Sequence, residues 1–252
     1  MERLTRVVVT AAAIALAGGL VACGSSDPEP GSSTDASPSV PSDLGPAVTA
    51  PAAPGAGPIT DPAALRAALL AAPDLPVGFV ALPAAESPDE TTGAGTAPPT
   101  TNPTRCANVL DTVARQARGA VTDAESNFSG PDFTSIDIDA ASYPGSGAAE
   151  AFSTIQATAR QCTTYSGTDG EGVGVDYRVE PLATPAVGDA STGIRLITTS
   201  DGFSLVSDAV LTVVDSTVVQ VVATGPEPID AGVLAGIARS SAARIHAAAP
   251  TR

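Results

Sequence analysis

The C-terminal half of the chain contains four segments rich in β-branched and apolar residues: 175–182, 193–199, 203–214 and 217–224. Asp201-Gly202 and Asp215-Ser216 separate the last three segments, and dipeptides of this kind form hairpin turns. Consecutive strands that are joined by tight turns must pair antiparallel. This part of the chain therefore predicts an antiparallel β-sheet.

Two further strands are predicted upstream, at 121–128 and 133–143. In the second, Ile136 and Ile138 alternate with Asp137 and Asp139. An alternation with a period of two predicts a half-buried strand whose carboxylates face the solvent.

Helices are predicted between and around these strands. Their signals are N-capping residues, proline in the first turn and apolar residues at helical spacing. The predicted helices cover 63–70, 105–119, 146–162 and the stretch after Asp230 to about Ile245. The order of elements predicts a single α+β domain over 59–248, with a mainly antiparallel sheet and helices packed on one face.

The charge of the chain excludes one class of partner. Its 12 basic residues, all arginine, stand against 27 acidic residues, which gives a formal net charge of -15. Nucleic-acid affinity comes mostly from neutralising phosphates with Lys and Arg. We therefore expect no nucleic-acid binding.

The first 22 residues have the pattern of a secretory signal peptide. Arg3 and Arg6 precede an uncharged stretch, 7–22, that is short and interrupted by glycine. The following Leu20-Val21-Ala22-Cys23-Gly24 resembles the lipobox of bacterial lipoproteins, in which the cysteine is acylated and becomes the new N-terminus. The alternative is an ordinary signal peptide followed by an unrelated cysteine.

Acylation of Cys23 would make membrane lipid a partner and place the protein on the outer face of the cell membrane. Residues 24–58 are dense in Ser, Pro, Gly, Ala and Asp and have no apolar periodicity. They predict a disordered tether that would reach roughly 100 Å if fully extended.

Two cysteines remain in the exported part, Cys106 and Cys162. In an oxidising compartment they predict a disulfide bond. The alternative, a reactive thiol or a metal-binding pair, lacks the close spacing and the histidines that such sites use.

The residues predict no catalytic group, metal site or cofactor. His246, the single histidine, lies near the end of the last predicted helix, and no Ser lies in a G-x-S-x-G motif. The glycine-rich stretch 170–174 follows a helix and leads into a strand, the reverse of the order in a dinucleotide site. Asp137 and Asp139 could hold a hard cation, but strand alternation already accounts for both.

The segment 63–245 resembles the exported domain of mycobacterial and related actinobacterial lipoproteins and the extracellular sensor domain of PknH-type serine/threonine kinases. The likeness consists of a shared layout, carried by 69–70, 74–79, Cys106, a strand ending near Tyr143, a helix from 149 to Cys162, and 187–189. It implies an antiparallel sheet flanked by helices and a cleft for an unidentified ligand. The chain differs in having one candidate bridge instead of two and no kinase domain.

The leading hypothesis is a non-enzymatic, lipid-anchored domain that binds a small apolar ligand or an envelope component. The predicted cleft lining consists of five aromatic residues: Phe133, Tyr143, Phe152, Tyr177 and Phe203. Each of them could instead fill the core. Two other classes remain open, an envelope hydrolase with an unrecognised site and a structural or protein-interaction module.

Overall fold

A nine-stranded antiparallel sheet forms the framework of the structure, which is a computed structural model that describes residues 43–83 and 98–250. The described residues belong to one compact unit, Val40–Arg252. The strand order is β1-β3-β4-β9-β8-β7-β6-β5-β2. The strands are β1 Val80–Ala81, β2 Thr100–Asn102, β3 Thr122–Ser129, β4 Ser135–Ser142, β5 Thr164–Thr168, β6 Gly174–Pro181, β7 Ala190–Ser200, β8 Phe203–Val214 and β9 Thr217–Gly225.

The predicted α+β class and antiparallel pairing are confirmed. The tight turn between β7 and β8 has positive φ at Asp201 (48°) and Gly202 (81°), which matches the right-handed twist of the two strands. Three strands were not predicted: the two edge strands β1 and β2, and β5. They are only two to five residues long, so they carry little alternation.

Four α-helices pack against this sheet: α1 Pro62–Ala68, α2 Val113–Gln116, α3 Gly147–Gln161 and α4 Ala231–Ala248. Asp61 caps α1 by accepting a hydrogen bond from the Ala63 N–H, and Asp230 caps α4 in the same way through Val233. No helix in the described ranges is long and apolar enough to cross a membrane.

The expectation that the helices lie on one face of the sheet is wrong. Leu65 of α1 and Ile245 of α4 pack with Val219 and Val221 of β9 on one face. Val113 of α2 and the buried residues of α3 pack with Val218 on the opposite face. The central strands are therefore buried on both sides.

The predicted helix over 105–119 is also wrong in its extent. A 3-10 helix covers Thr104–Asn108, and α2 has only four residues. Leu110 between them has a φ of 60°, which no right-handed helix allows. The Asp111 side chain accepts from the Thr112 N–H, and the Asp111 carbonyl oxygen accepts from the Gln220 amide. Contacts with the sheet thus override the local helical pattern.

Residues 43–58 form an extended segment along the domain surface, which we call the strap. The sequence predicts them as part of the disordered tether. In the structure, the Gln156 side chain holds the backbone of Val48, Arg160 donates to the Gly45 carbonyl oxygen, and Ser216 donates to that of Ala56. The folded unit therefore begins at or before residue 43.

The predicted disulfide between Cys106 and Cys162 is confirmed. Their Cα atoms are 5.7 Å apart, and both residues are buried. The bond joins the 3-10 helix to the residue that follows α3. It packs against Val179 and Leu196 of the sheet and so extends the core to β6 and β7.

Candidate ligand-binding site

Two of the five predicted lining residues, Tyr143 and Phe152, belong to the core. They are almost fully buried in the apolar cluster between the sheet and α3. The Tyr143 hydroxyl donates a hydrogen bond of 2.7 Å to the Ala117 carbonyl oxygen. Burial raises the pKa of Tyr143 to about 12. The phenol therefore stays protonated and holds the residue that follows α2.

The other three lie apart from that cluster. Tyr177 is half-buried and stacks on Tyr165 with ring centroids 4.5 Å apart. Phe133 and Phe203 are exposed to 92% and 83%. The structure does not bring the five residues together in one cleft, so ligand binding by them stays a prediction.

An apolar groove of about 470 Å³ lies where β9 ends and α4 begins. Four prolines contribute to its walls, so we call it the proline groove. Its lining comprises Pro76, Phe79, Pro131, Asp132, Thr134, Ser135, Ala223, Thr224, Pro226, Glu227, Pro228, Ile229 and Val233. Phe133 lies between two of these residues in the loop that joins β3 and β4.

The walls of the proline groove are fixed by local contacts. Thr134 donates to the Pro131 carbonyl oxygen through both its backbone N–H (3.1 Å) and its hydroxyl (2.6 Å). The Phe79 ring lies so close to Gly130 that a Cβ atom there would sit 2.6 Å from the ring. Each proline also fixes its own φ. The groove is therefore formed before any ligand arrives.

Sequence reasoning missed this groove. Its residues come from three separate stretches, 76–79, 131–135 and 223–233, and no local pattern connects them. The available signal was the placement of Pro76, Pro131, Pro226 and Pro228 beside strand ends, and proline there is also common in ordinary turns.

No protein-family model matches the chain, and no curated protein matches it. Among solved structures, the extracellular domain of PknH from Mycobacterium tuberculosis matches with a TM-score of 0.55 and 18% identity, over 77% of this chain and 100% of that one. The chain has the fold of that domain. The Mycobacterium smegmatis ortholog of Rv0999 has a TM-score of 0.33 and 13% identity, over 59% of this chain and 76% of that one.

A second cavity of the PknH-like fold, of about 350 Å³, is bordered by charged residues that include Arg66, Arg115, Glu125 and Asp139. Burial raises the pKa of Asp139 to about 7. One of its oxygens accepts from the Val113 N–H at 2.6 Å, and the other accepts from the Gln220 amide at 3.0 Å. One oxygen thus fixes α2 to the sheet, and the other joins β4 to β9.

The position of Asp139 corrects the prediction that both carboxylates of β4 face the solvent. Asp139 is buried under α2, and burial also raises the pKa of the half-buried Asp137. The predicted alternation itself is present, since Ile136 and Ile138 are buried on the other face.

In the described ranges, no three His, Cys, Asp or Glu side chains come together as a metal site.

His246 lies in the last turn of α4, where its Nδ1 is 2.8 Å from Oδ2 of Asp215. The sequence predicts an exposed histidine at this helix end, and the side chain is exposed to 75%. The pairing with Asp215 was not predicted. No Ser, Thr or Cys in the described part of the chain hydrogen-bonds to this imidazole, so the pair lacks the nucleophile of a triad.

Proposed function

We propose that this chain is a lipid-anchored lipoprotein whose PknH-like domain binds a small apolar ligand outside the cytoplasmic membrane. The observation that carries the proposal is the proline groove. Its volume of about 470 Å³ is within the range of small-molecule sites. Its walls are mostly apolar and are held in place by the contacts of Thr134 and Phe79.

Two further observations support a location outside the cytoplasm. The fold is that of a domain described as extracellular in PknH. The Cys106–Cys162 disulfide suits an oxidising compartment. The proposed lipid site, Cys23, lies outside the described residues, and its support is the lipobox-like sequence around it.

A binding role without catalysis is supported by the hydrogen bonds of Asp139 and by the kinds of polar residue in the proline groove. Among the described residues, the one carboxylate with a pKa raised to about 7 is Asp139, and it already accepts hydrogen bonds from the Val113 N–H and the Gln220 amide. The proline groove contains hydroxyl and carboxylate groups but no histidine or cysteine. A sensor-like domain needs only a pocket whose occupancy changes its surface.

The test is to identify any small molecule that stays bound to the purified protein. The full chain carrying Cys23→Ser, which cannot be acylated and so needs no detergent, would be purified and extracted with solvent, and the extract would be analysed by mass spectrometry. We expect an apolar compound in up to equimolar amount. Val233→Trp, which fills the groove, should lose this compound, whereas Val121→Trp, at an exposed valine that does not line the groove, should retain it.

Thermal unfolding would confirm that both variants are folded. Pro228→Trp, at an exposed residue of the groove, provides a second blocking variant if Val233→Trp does not fold. Empty extracts, together with no stabilisation of the wild type by envelope lipid extracts, would refute ligand binding in the groove.

A further inference from the structure

We propose that the ligand of the proline groove carries a positively charged group beside its apolar body, because Asp132 and Glu227 are the charged residues in the lining of this mostly apolar groove. This inference rests on the proposed function, since it concerns the same site. It narrows the ligand to a cationic amphiphile, such as an alkyl or acyl chain bearing an ammonium or guanidinium group.

The side chains of Asp132 and Glu227 are exposed and, among the described residues, unpaired. In the ranges 43–83 and 98–250, no hydrogen bond or ion pair involves the side chain of Asp132 or Glu227. None of the nine arginines in these ranges lines the groove. The formal charge that the groove presents is therefore negative.

The N-terminus of α4 does not offset this charge. A helix N-terminus carries a partial positive charge that favours anions. At α4 that end is already capped by Asp230, which accepts from the Val233 N–H at 3.0 Å. The other polar groups in the lining, including the Thr134, Ser135 and Thr224 hydroxyls, are neutral.

The backbone conformation of the loop also fixes the position from which the Asp132 side chain extends. Asp132 has a φ of 54°, between Pro131 and the Thr134 contacts that close the loop. Asparagine tolerates this left-handed conformation as well as aspartate does. Asp132→Asn therefore removes the charge and leaves the loop intact.

A series of ligands with one tail and three headgroups tests the inference. The full chain carrying Cys23→Ser, which has no lipid to bind the amphiphiles, would be titrated calorimetrically with decyltrimethylammonium, tetraethylene glycol monodecyl ether and decanoate, each below its micelle concentration. We expect the cation to bind about fivefold more tightly than the uncharged ether, because two exposed charge pairs each contribute a few-fold at most, and decanoate to bind most weakly.

The double variant Asp132→Asn/Glu227→Gln should bind the cation and the ether equally, with the affinity for the ether unchanged. The matched control Glu171→Gln/Asp176→Asn removes two exposed charges that do not line the groove. It should keep the preference, which should also weaken as ionic strength rises.

Several outcomes would overturn the inference. A preference that persists in Asp132→Asn/Glu227→Gln, or that the control also loses, would arise from the overall net charge of the chain. Equal binding of cation and ether to the wild type, blocked by Val233→Trp, would refute the charged group and leave the proposed function standing. Binding of none of the three ligands, or binding that Val233→Trp does not change, would count against both proposals.

Discussion

The side-chain amide of Gln156 donates to the carbonyl oxygen of Val48 and accepts from its backbone N–H, each at 2.9 Å. One buried side chain thus satisfies both backbone groups of a residue that lies 108 positions away in the sequence. Arg160, one helical turn later, donates to the Gly45 carbonyl oxygen. These contacts hold the first half of the strap against α3.

Gln156→Ala should release this part of the strap. The Val48 N–H and C=O would lose their partners, which costs about 1–3 kcal/mol where the groups stay buried. We expect a lower free energy of unfolding in urea and faster hydrogen exchange at the Val48 amide. Thr158→Ala, at a half-buried residue whose hydroxyl donates to the Thr154 carbonyl oxygen of the same helix, serves as the control. Unchanged exchange at Val48 would contradict the role of Gln156.

Replacing Cys162 with serine should destabilise the domain. On the chain-entropy model, a bridge that closes a loop of this length contributes about 4 kcal/mol, and the residue is also fully buried. The comparison would be made in a Cys23→Ser background, so that the thiol of Cys23 does not interfere. Urea unfolding of the two forms measures the difference.

In the same background, the denatured and unreduced protein should show no thiol that reacts with a labelling reagent. Two labelled thiols per chain would contradict the bridge.

The free energy of unfolding should fall as the pH rises from about 4 to about 7. The usual pKa of an aspartate is 3.8, whereas that of Asp139 in the folded domain is about 7 because of burial. In this window the unfolded chain has released the proton and the folded chain still holds it, so rising pH favours unfolding. Three pKa units correspond to at most about 4 kcal/mol.

Asp139→Asn should flatten this dependence, as measured by urea unfolding at several pH values. Asp123→Asn, at an exposed residue of β3, should leave the slope unchanged and serves as the control. A wild-type slope that persists in Asp139→Asn would assign the titration to another group.

Cys23→Ser tests the proposed lipid site. Serine cannot form the thioether to diacylglycerol, so the variant should move from the membrane fraction to a soluble or unprocessed form. The domain should remain folded, because the described residues begin 20 positions later. Fractionation and labelling with a radioactive fatty acid would measure the change. A variant that fractionates and labels like the wild type would show that Cys23 is not acylated.

Sheet pairing was predictable where alternation and turn residues agree, as around Asp201-Gly202. The placement of helices on two faces was not inferred, although the signal was present. In β9, Val218 to Val222 form a nearly continuous apolar run, which is typical of a strand that is buried on both sides. Alternation describes only strands with one exposed face.

The candidate site was less predictable than the fold. Composition identifies Phe152 and Phe133 as aromatic, but burial separates them into a core residue and an exposed loop residue. The proline groove forms only when the turn at Pro76, the loop at Pro131 and the end of β9 meet. Such a meeting depends on tertiary contacts between distant stretches and leaves no local pattern.

If Cys23 is lipidated as proposed, the strap also limits how far the domain can stand from a bilayer. Between a lipidated Cys23 and Asp43, the first described residue, there are 19 residues. Fully extended as polyproline II, this connection would span about 60 Å, compared with roughly 100 Å for the whole predicted tether. Under the proposed lipidation, the shorter connection would confine the domain to a thinner layer above the lipid headgroups. A partner in the same membrane would then meet the domain at a higher effective concentration.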